Sequence, residues 1–312
     1  MTDTVKTALI RALTEAHVPV TAGEPLSRHT TFRIGGPAAL CASPASSEGL
    51  IAALDAYRAV GGGCPLCLLG RGSNVLASDD GFDGLVILTG GADDTAFGED
   101  GIVRAGCGAS LTALAAACVK DGRALSGLEF AYGIPGSVGG AVLMNAGAYG
   151  GEMSQIVVQS TYYDLGTGET VTVSGDAHDF AYRHSCYSDH PDRVLLSAVL
   201  RLLPGSADVI RARMERNMNA RRDKQPLQYP SAGSVFKRPA EPGVYVGAMV
   251  EGCGLKGYTI GGAQVSEKHA GFIINRGGAT AADVLALVGH VRQVVYDTFG
   301  YRLECEIRRI GS

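Results

Sequence analysis

The sequence predicts a loop-rich α/β protein, and three observations support that prediction. Apolar spacing typical of helices and of strands recurs along the 312 residues. Glycine contributes 44 residues, about twice its usual share. Two of the predicted connections, at residues 70–74 and 131–151, are glycine turns without acidic residues. Apolar residues make up 46% of the chain, which is enough to bury a core.

The first half of the chain predicts three helices and three strands. The helices are residues 4–17, with Leu9, Ile10 and Leu13 on the buried side, residues 46–60, ended by three glycines at 61–63, and an alanine-rich helix capped by Ser110 that stops at Gly122. The strands are residues 64–69, 85–88 and 102–105.

The second half favours strands first and helices later. Residues 156–163 and 169–173 flank a glycine turn and predict a hairpin. Residues 180–187 are a polar, aromatic loop. The remaining elements are strands at 194–203, 271–275 and 302–310, a helix at 207–222, and a helix that starts at a capping box (Thr280 and Asp283) and ends at Gly300. In the last strand, Leu303, Cys305 and Ile307 alternate with charged residues.

The longer glycine turn, residues 131–151, suggests contact with a phosphate group. Glycine lets a ligand approach bare backbone, and successive N–H groups of such a segment can surround an anion. The alternative interpretation is a buried loop where two domains pack together.

The shorter glycine turn follows a predicted strand, as a phosphate-binding turn does. Gly70-Arg71-Gly72-Ser73-Asn74 is neither a dinucleotide fingerprint, because another turn follows at residues 79–81, nor a Walker loop. Two separate glycine turns suggest one elongated ligand with a pyrophosphate and a ring system, such as FAD.

Composition excludes several other classes of protein. The formal charge of −4, without basic and aromatic residues interleaved, gives no reason to expect nucleic-acid binding. The chain begins without a signal-peptide pattern and has no apolar run of about 20 residues, so we expect a cytoplasmic protein away from membranes. Its eight cysteines are expected to be reduced, buried thiols. A metal or redox role for Cys64 and Cys67 lacks partner residues, and no metal site is predicted.

Seven motifs, in order, identify a resemblance over nearly the whole chain. They are TTFRIGG (30–36), GRGSNVL (70–76), GIPGSVGGAVLMNAGAYG (133–150), YRHS (182–185), YPSAGSVFKRP (229–239), GLKGYTIGGAQVSEKHAGF (254–272) and LECEIRRIG (303–311). The chain resembles the UDP-N-acetylenolpyruvoylglucosamine reductase family of bacterial peptidoglycan synthesis, in its branch with a compact substrate domain. It departs from the family at Cys305, where proline is commoner, and at Arg238, where several relatives carry asparagine.

The resemblance implies an α+β fold. Two N-terminal subdomains (residues 1–84 and 85–205) would form a vanillyl-alcohol-oxidase/PCMH-type FAD-binding fold, and residues 206–312 would form an α+β substrate-binding domain. NADPH would reduce FAD and leave. The enolpyruvyl ether of UDP-N-acetylglucosamine would then accept hydride and a proton, which gives UDP-N-acetylmuramate. We expect a monomer.

The resemblance also implies roles for particular residues. Ser234 would protonate the enolate, and Arg183 and Glu306 would polarise the substrate carboxylate. Substrate contacts would come from Tyr182, Lys224, Lys256 and His269. The cofactor-binding residues would be Arg33, Gly70, Arg71, Gly72, Ser73, Asn74, Gly133, Pro135, Gly136, Ser137, Gly139, Gly140, Asn145 and Gly147. From composition alone, Ser234 would be a turn residue, Arg183 a surface cation and Glu306 a solvent-facing charge.

Two rival functions follow from the same residues. One is a flavoenzyme of the same fold that acts on another alcohol or alkene. The other is a UDP-sugar-binding protein without turnover, although both glycine turns and all three catalytic positions are filled.

Overall fold

The computed structural model describes residues 1–61, 63–239, 241 and 243–311. Gly62, in the predicted end of the second helix, therefore lies outside the described residues. The helices are α1 (Asp3–Glu15), α2 (Ser47–Ala59), α3 (Leu111–Ala117), α4 (Val138–Leu143), α5 (Ala207–Lys224), α6 (Val246–Gly252) and α7 (Ala281–Phe299).

Nineteen strands, many of two or three residues, are found in the described residues. They are β1 (Val20–Pro25), β2 (Pro37–Ala42), β3 (Leu66–Leu69), β4 (Val75–Ala77), β5 (Phe82–Leu88), β6 (Thr95–Phe97), β7 (Ile102–Gly106), β8 (Leu125–Ser126), β9 (Gly147–Ala148), β10 (Gly151–Glu152), β11 (Val157–Asp164), β12 (Thr170–Ser174), β13 (Arg193–Arg201), β14 (Leu203–Pro204), β15 (Ser231–Ser234), β16 (Thr259–Ile260), β17 (Ala263–Val265), β18 (Phe272–Asn275) and β19 (Arg308–Ile310).

The chain divides into two compact units. Unit 1 comprises residues 1–22, 40–71 and 84–220, and unit 2 comprises residues 23–39, 72–83 and 221–312. In unit 1, a five-stranded sheet has the order β12-β11-β13-β7-β6, with each neighbouring pair antiparallel. Strand β3 pairs in parallel with β5. Two apolar clusters fill unit 1, one beneath the five-stranded sheet and one around α1 and α2.

Unit 2 is built around α7 and a four-stranded sheet of the order β15-β18-β17-β16. The predicted capping box is confirmed, because Thr280 and Asp283 accept each other's N–H groups, and Gly300 ends the helix in a left-handed conformation. The side of α7 that carries Val284, Leu287 and Val291 is buried in the core of the unit. Strand β19 pairs in parallel with β4.

Most predicted elements are confirmed, and four predictions are wrong in part. Ile10 of α1 is 37% exposed rather than buried with Leu9 and Leu13. Helix α3 ends at Ala117, before the predicted stop. The last strand covers only Arg308–Ile310, and residues 304–306 pair with residues 235–237 of the same unit through one isolated bridge rather than a continuous ladder. Cys305 is exposed. The cysteines are free thiols, although not all are buried.

Two helices were not predicted. Helix α4 lies inside the predicted glycine loop, and α6 precedes the glycine-rich segment at residues 252–262. Both helices are short and contain glycine, so no clear helical pattern marks them in the sequence. None of the helices in the described part of the chain has the length and hydrophobicity that crossing a membrane requires.

Candidate functional site

Ser234 lies at the end of β15, where the pairing with β18 is irregular. It lies opposite Phe272, and a register shift separates this pair from the preceding one. Gly233 adopts φ +77, in the left-handed region that glycine tolerates at little cost. The irregular backbone leaves Ser234 exposed while the next residue, Val235, is buried. Its hydroxyl is therefore accessible to a ligand.

Backbone hydrogen bonds hold Glu306 close to Ser234 within unit 2. The N–H of Glu306 donates to the carbonyl of Val235 at 2.8 Å, and the N–H of Lys237 donates to the carbonyl of Glu304 at 2.9 Å. Glu306 is half-buried. The structure thus brings together two of the three residues with predicted catalytic roles, although they are distant in sequence.

Asn74 of the shorter glycine turn also contacts this segment. Its side-chain Nδ2 donates to the carbonyl of Glu306 at 3.2 Å, and its backbone carbonyl accepts the N–H of Arg308 at 2.9 Å. The sequence suggested only a cofactor contact for Asn74. Its position next to β19 could not be read from a local pattern, because the paired segments are far apart along the chain.

Arg183, in unit 1, lies on a tight turn that the surrounding loop fixes. Ala181 and His184 exchange backbone hydrogen bonds of 3.2 Å, so Tyr182 and Arg183 occupy the two central positions. Arg183 has φ +56, which is uncommon for a residue other than glycine. Its guanidinium lies 5.0 Å from the centre of the Tyr182 ring, a cation–π arrangement.

Two buried side chains connect the Arg183 turn to the longer glycine segment. Asn145 donates to the carbonyl of Ala181 at 3.1 Å and accepts the N–H of Ser154 at 2.9 Å. The Ser185 hydroxyl donates to the carbonyl of Leu143 at 2.7 Å. Asn145 is 2% exposed, so its side chain acts within the protein and fixes the position of Arg183 relative to α4.

The N-terminus of α4 is satisfied by the protein itself. The N–H groups of Val138 and Gly139 donate to the carbonyls of Ala109 (2.9 Å) and Cys107 (2.8 Å), and the N–H of Gly140 donates to Ser137 Oγ (3.3 Å). These three N–H groups therefore already have acceptors. A ligand could still pack closely against the glycine backbone here, but those three N–H groups would not be its main hydrogen-bond donors.

The first residues of the longer segment are held against α3. The N–H of Gly133 donates to Thr112 Oγ1 at 3.1 Å, and the carbonyl of Gly136 accepts the N–H of Leu111 at 3.1 Å. Pro135 is exposed between them. This backbone is therefore fixed in place before any ligand binds.

Several glycines of the two turns pack closely against other residues of unit 1. A Cβ on Gly70 would lie 2.5 Å from Ser137 Oγ, and one on Gly139 would lie 2.9 Å from Cys107 Cβ. A Cβ on Gly147 would lie 2.9 Å from Glu152 Cβ. Packing explains these three glycines. Gly140 differs, because it is exposed and a Cβ there would have only Ser137 Oγ within 4 Å, at 3.6 Å.

Residues 72–74 of the shorter turn belong to unit 2, whereas Gly70 and Arg71 belong to unit 1. A Cβ on Gly72 would lie 2.1 Å from the carbonyl oxygen of His29, and Gly72 has φ +60. Its own carbonyl accepts the N–H of Thr31 at 3.1 Å. Arg71 is exposed and Ser73 is half-buried. Arg33 is exposed with φ +57, so its side chain points away from the core of unit 2.

Three of the four predicted substrate residues form a basic cluster in unit 2, whereas Tyr182 lies in unit 1. The positive charges of Lys256 and Lys224 reach His269, whose pKa is lowered mainly by burial and further by these two lysines. His269 Nδ1 accepts the N–H of Gly271 at 3.1 Å, so neutral His269 carries its proton on Nε2. A neutral imidazole in this position can donate one hydrogen bond to an anion.

Sequence reasoning missed the acidic partner of this cluster. Lys256 Nζ lies 2.6 Å from Glu251 Oε1, at the end of α6. Glu251 and Lys256 are five residues apart, but because α6 was not predicted, the sequence did not show that their side chains pair. The pair holds the ammonium group in one position.

The residues present fit a flavin better than a metal. Among the described residues, no group of three His, Cys, Asp or Glu side chains could hold a metal ion. Near Gly140 the glycine backbone is open, as close approach of a large planar ligand requires. The structure thus shows a glycine-lined surface in unit 1, and a serine, a carboxylate and a basic cluster in unit 2.

Two family models match successive parts of the chain. Residues 38–174 match the family model of an FAD binding domain, and residues 225–310 match that of the C-terminal domain of UDP-N-acetylenolpyruvoylglucosamine reductase. The predicted fold class, α+β with an FAD-binding part followed by a C-terminal domain, is confirmed.

Similar proteins cover almost the whole chain. UDP-N-acetylenolpyruvoylglucosamine reductase of Agathobacter rectalis is 45% identical over 301 residues, with 93% of each chain covered. The protein of that name from Heliobacterium modesticaldum is 46% identical, with 93% of this chain and 90% of its own covered. The crystal structure of the Thermus caldophilus reductase superimposes with a TM-score of 0.76 at 33% identity, covering 94% of this chain and 98% of that one. The chain therefore belongs to the UDP-N-acetylenolpyruvoylglucosamine reductase family and contains an FAD-binding domain.

Proposed function

We propose that this chain uses FAD and NADPH to reduce UDP-N-acetylglucosamine enolpyruvate to UDP-N-acetylmuramate, a step of peptidoglycan precursor synthesis. The observation that supports this most directly is the position of Glu306 beside Ser234, through the 2.8 Å bond from Glu306 to Val235. A hydroxyl group held next to a second acid–base group suits the protonation of an enolate. FAD, when bound, would supply the hydride that it takes from NADPH.

The roles of the catalytic residues follow from the charge that develops on the substrate. Arg183 would stabilise the negative charge of the substrate carboxylate and enolate, since fixed cations are effective where charge appears during reaction. The Ser234 hydroxyl would donate the proton. A serine is a weak acid in water, so it must be positioned and assisted, and Glu306 would provide part of that assistance.

The basic cluster suits the diphosphate of the nucleotide sugar. Lys224, Lys256 and His269 would bind it, the lysines as point charges and the imidazole through Nε2. Glu251 would hold the Lys256 ammonium in position until the diphosphate is present. Tyr182, which is 49% exposed, would contact the substrate beside Arg183.

The remaining parts of the proposal concern cofactor contacts and biology. Both glycine turns, with Arg33, Arg71 and Asn145, would form or support the FAD site. We propose three domains, at residues 1–84, 85–205 and 206–312, in a cytoplasmic monomer. Its activity would supply cell-wall biogenesis and thereby affect cell shape and division.

An absorption experiment with a Ser234→Ala variant tests the function. Purified protein should show the bands of oxidised flavin, lose them on anaerobic addition of NADPH, and regain them when the enolpyruvyl sugar is added. In Ser234→Ala, bleaching should proceed at the wild-type rate and reoxidation should slow by about 100-fold or more, the range for loss of a general acid. Ser231→Ala, on the same strand, should match wild type, because Ser231 contributes its backbone carbonyl to Thr31.

The outcomes separate the rival functions. A flavoprotein that bleaches with NADPH but does not respond to the enolpyruvyl sugar would be a related flavoenzyme with another substrate. A protein that binds the sugar but is never reduced would be a binding protein. Normal reoxidation in Ser234→Ala would refute only the proton-donor role of Ser234 and would leave the proposed function intact.

A further inference from the structure

A cavity of ≈410 Å³ lies within unit 1, between the end of the glycine segment and helix α5. None of the proposed catalytic or substrate-binding residues lines it. Its walls include Glu129, Tyr149, Arg213, Arg216 and Asn217. Tyr149 is 46% exposed, with its backbone in the left-handed region at φ +52. The cavity therefore offers two guanidinium groups, an amide and an aromatic ring to a ligand.

Glu129 is fixed as an anion at the base of this cavity. Its two carboxylate oxygens accept the hydroxyl of Ser126 at 2.7 Å and the N–H of Gly127 at 2.6 Å. Burial alone would raise the pKa of Glu129, but these hydrogen bonds and the charge of Arg213 hold it below its usual value. Asn217 donates to the Glu129 carbonyl at 2.9 Å and so joins α5 to the same loop.

Arg216 carries the positive charge of this cavity that Glu129 does not balance. Arg213 lies 3.5 Å from Glu129 Oε1, so these two groups neutralise each other. Among the described residues, Arg216 forms no ion pair, and it lies three positions after Arg213, on the same side of α5. The cavity thus carries one net positive charge, formed by a guanidinium group that remains available to an anion.

We propose that this cavity binds the phosphate monoester of a nucleotide, and that in the proposed reaction this group is the 2′-phosphate of NADPH. A guanidinium group matches phosphate with two parallel hydrogen bonds, and an exposed aromatic ring suits a nucleotide base. The sequence has no dinucleotide fingerprint that would mark the position of this phosphate. Arg216 is the residue that distinguishes NADPH from NADH. This inference rests on the proposed function.

Calorimetric binding to the FAD-loaded protein tests the site without turnover. Adenosine 2′,5′-bisphosphate should bind wild type more tightly than adenosine 5′-monophosphate does, and Arg216→Gln should abolish the difference. Arg216→Lys should retain part of this difference in affinity, because lysine keeps the positive charge but cannot form the two parallel hydrogen bonds of a guanidinium group. Arg104→Gln is the matched control, since Arg104 is an exposed arginine of β7 outside the cavity. Equal binding of the two nucleotides by wild type would overturn the proposal.

Steady-state kinetics then assign the ligand. Arg216→Gln should lower the ratio of kcat/KM for NADPH to kcat/KM for NADH by about tenfold, with unchanged kcat/KM for NADH, because NADH lacks the phosphate. If inorganic phosphate binds in an Arg216-dependent manner but the ratio is unchanged, the site takes free phosphate, and the assignment to NADPH is wrong. If NADPH does not reduce the flavin at all, the proposed function fails, and the calorimetric comparison still decides whether the cavity binds the nucleotide phosphate.

Discussion

Neighbouring glycines in α4 are present for different physical reasons. Gly139 cannot carry a side chain, because a Cβ would lie 2.9 Å from Cys107 Cβ and 3.0 Å from its carbonyl oxygen. Gly140 is exposed and has room for a side chain. Glycine in a helix costs about 1 kcal/mol relative to alanine, so an unnecessary glycine suggests that bare backbone is required there. We infer that residue 140 is glycine because the proposed flavin packs against its backbone.

A Gly140→Leu variant tests this inference. Leucine favours the helix, residue 140 is exposed and an added Cβ would make no contact shorter than 3.6 Å, so the variant should fold with a Tm equal to or above that of the wild-type apoprotein. The added side chain would occupy the proposed flavin surface and should weaken FAD binding by at least about tenfold. Fluorescence titration of the apoprotein with FAD measures the loss.

Gly289→Leu provides a matched control for this variant. Gly289 is also an exposed helical glycine with open space around its Cβ position, but it lies in α7. It should gain helix stability without any change in FAD affinity. If Gly140→Leu binds FAD as tightly as wild type does, Gly140 does not line the flavin site.

At the scale of elements, the start of α7 shows what local sequence reveals and what it misses. The capping box of Thr280 and Asp283 could be predicted, because both residues belong to one short motif. The carboxylate of Asp79, however, accepts the N–H groups of Ala281 at 2.7 Å and Ala282 at 2.9 Å. This second cap comes from about 200 residues earlier, where the sequence indicated only a turn.

Asp79→Ala should destabilise unit 2 by removing both of these acceptors. A carboxylate at a helix N-terminus is bonded to free N–H groups and also interacts with the helix dipole. Hydrogen bonds to charged groups contribute about 1.5–3 kcal/mol, so the free energy of unfolding in urea should fall by about that much. Asp80→Ala should have little effect, because the bonds to α7 are made by Asp79. Equal effects of the two variants would show that the capping bonds add no stability.

Short elements account for most errors in prediction. Helices α4 and α6 have six and seven residues and contain glycine, so neither shows a full apolar repeat. The last segment showed alternation that predicted a strand, yet only three residues, Arg308–Ile310, pair continuously with β4. Long elements such as α7 and the β11–β12 hairpin were predictable because their periodicity extends over many residues.

At the scale of the whole molecule, the chain alternates between two units, with three segments in each. Apolar periodicity predicted many of the longer elements but could not predict this alternation, because the alternation depends on contacts between distant segments. The same limit applied to the site. The family resemblance implied roles for both Ser234 and Glu306, whereas Glu251 beside Lys256 and the cavity at Arg216 emerged only from the folded chain.

A buried polar network in unit 1 contributes a pH dependence to the stability of the molecule. His178 Nδ1 lies 2.9 Å from the carbonyl of Gly175, which can only accept, so Nδ1 carries the proton. The Ser160 hydroxyl must then donate to His178 Nε2 at 2.8 Å and accept from Tyr187 at 2.6 Å. Protonation of Nε2 would deprive the Ser160 hydroxyl of this acceptor. Burial accordingly lowers the pKa of His178, and this outweighs the bond to Gly175.

Stability should therefore fall as the pH drops below the unfolded-state pKa of histidine, about 6.5. In this range the unfolded chain binds a proton at residue 178 that the folded chain refuses, so unfolding takes up protons. The loss should continue down to the folded-state pKa and then level off, with a slope of at most about 1.4 kcal/mol per pH unit from this one group. Urea unfolding between about pH 7.5 and about pH 5, followed by tyrosine fluorescence, measures this loss.

Comparison with two glutamine variants isolates the contribution of His178. His178→Gln cannot titrate, so its unfolding free energy should decline less steeply than that of wild type over the same pH range, even if it is lower at neutral pH. His190→Gln, which removes a histidine whose side chain is 46% exposed, should keep the wild-type slope. Because wild type and His178→Gln share all their other titratable groups, only the difference in slope between these two proteins reports on His178. An identical slope in wild type and His178→Gln would mean that the folded network accommodates the protonated ring.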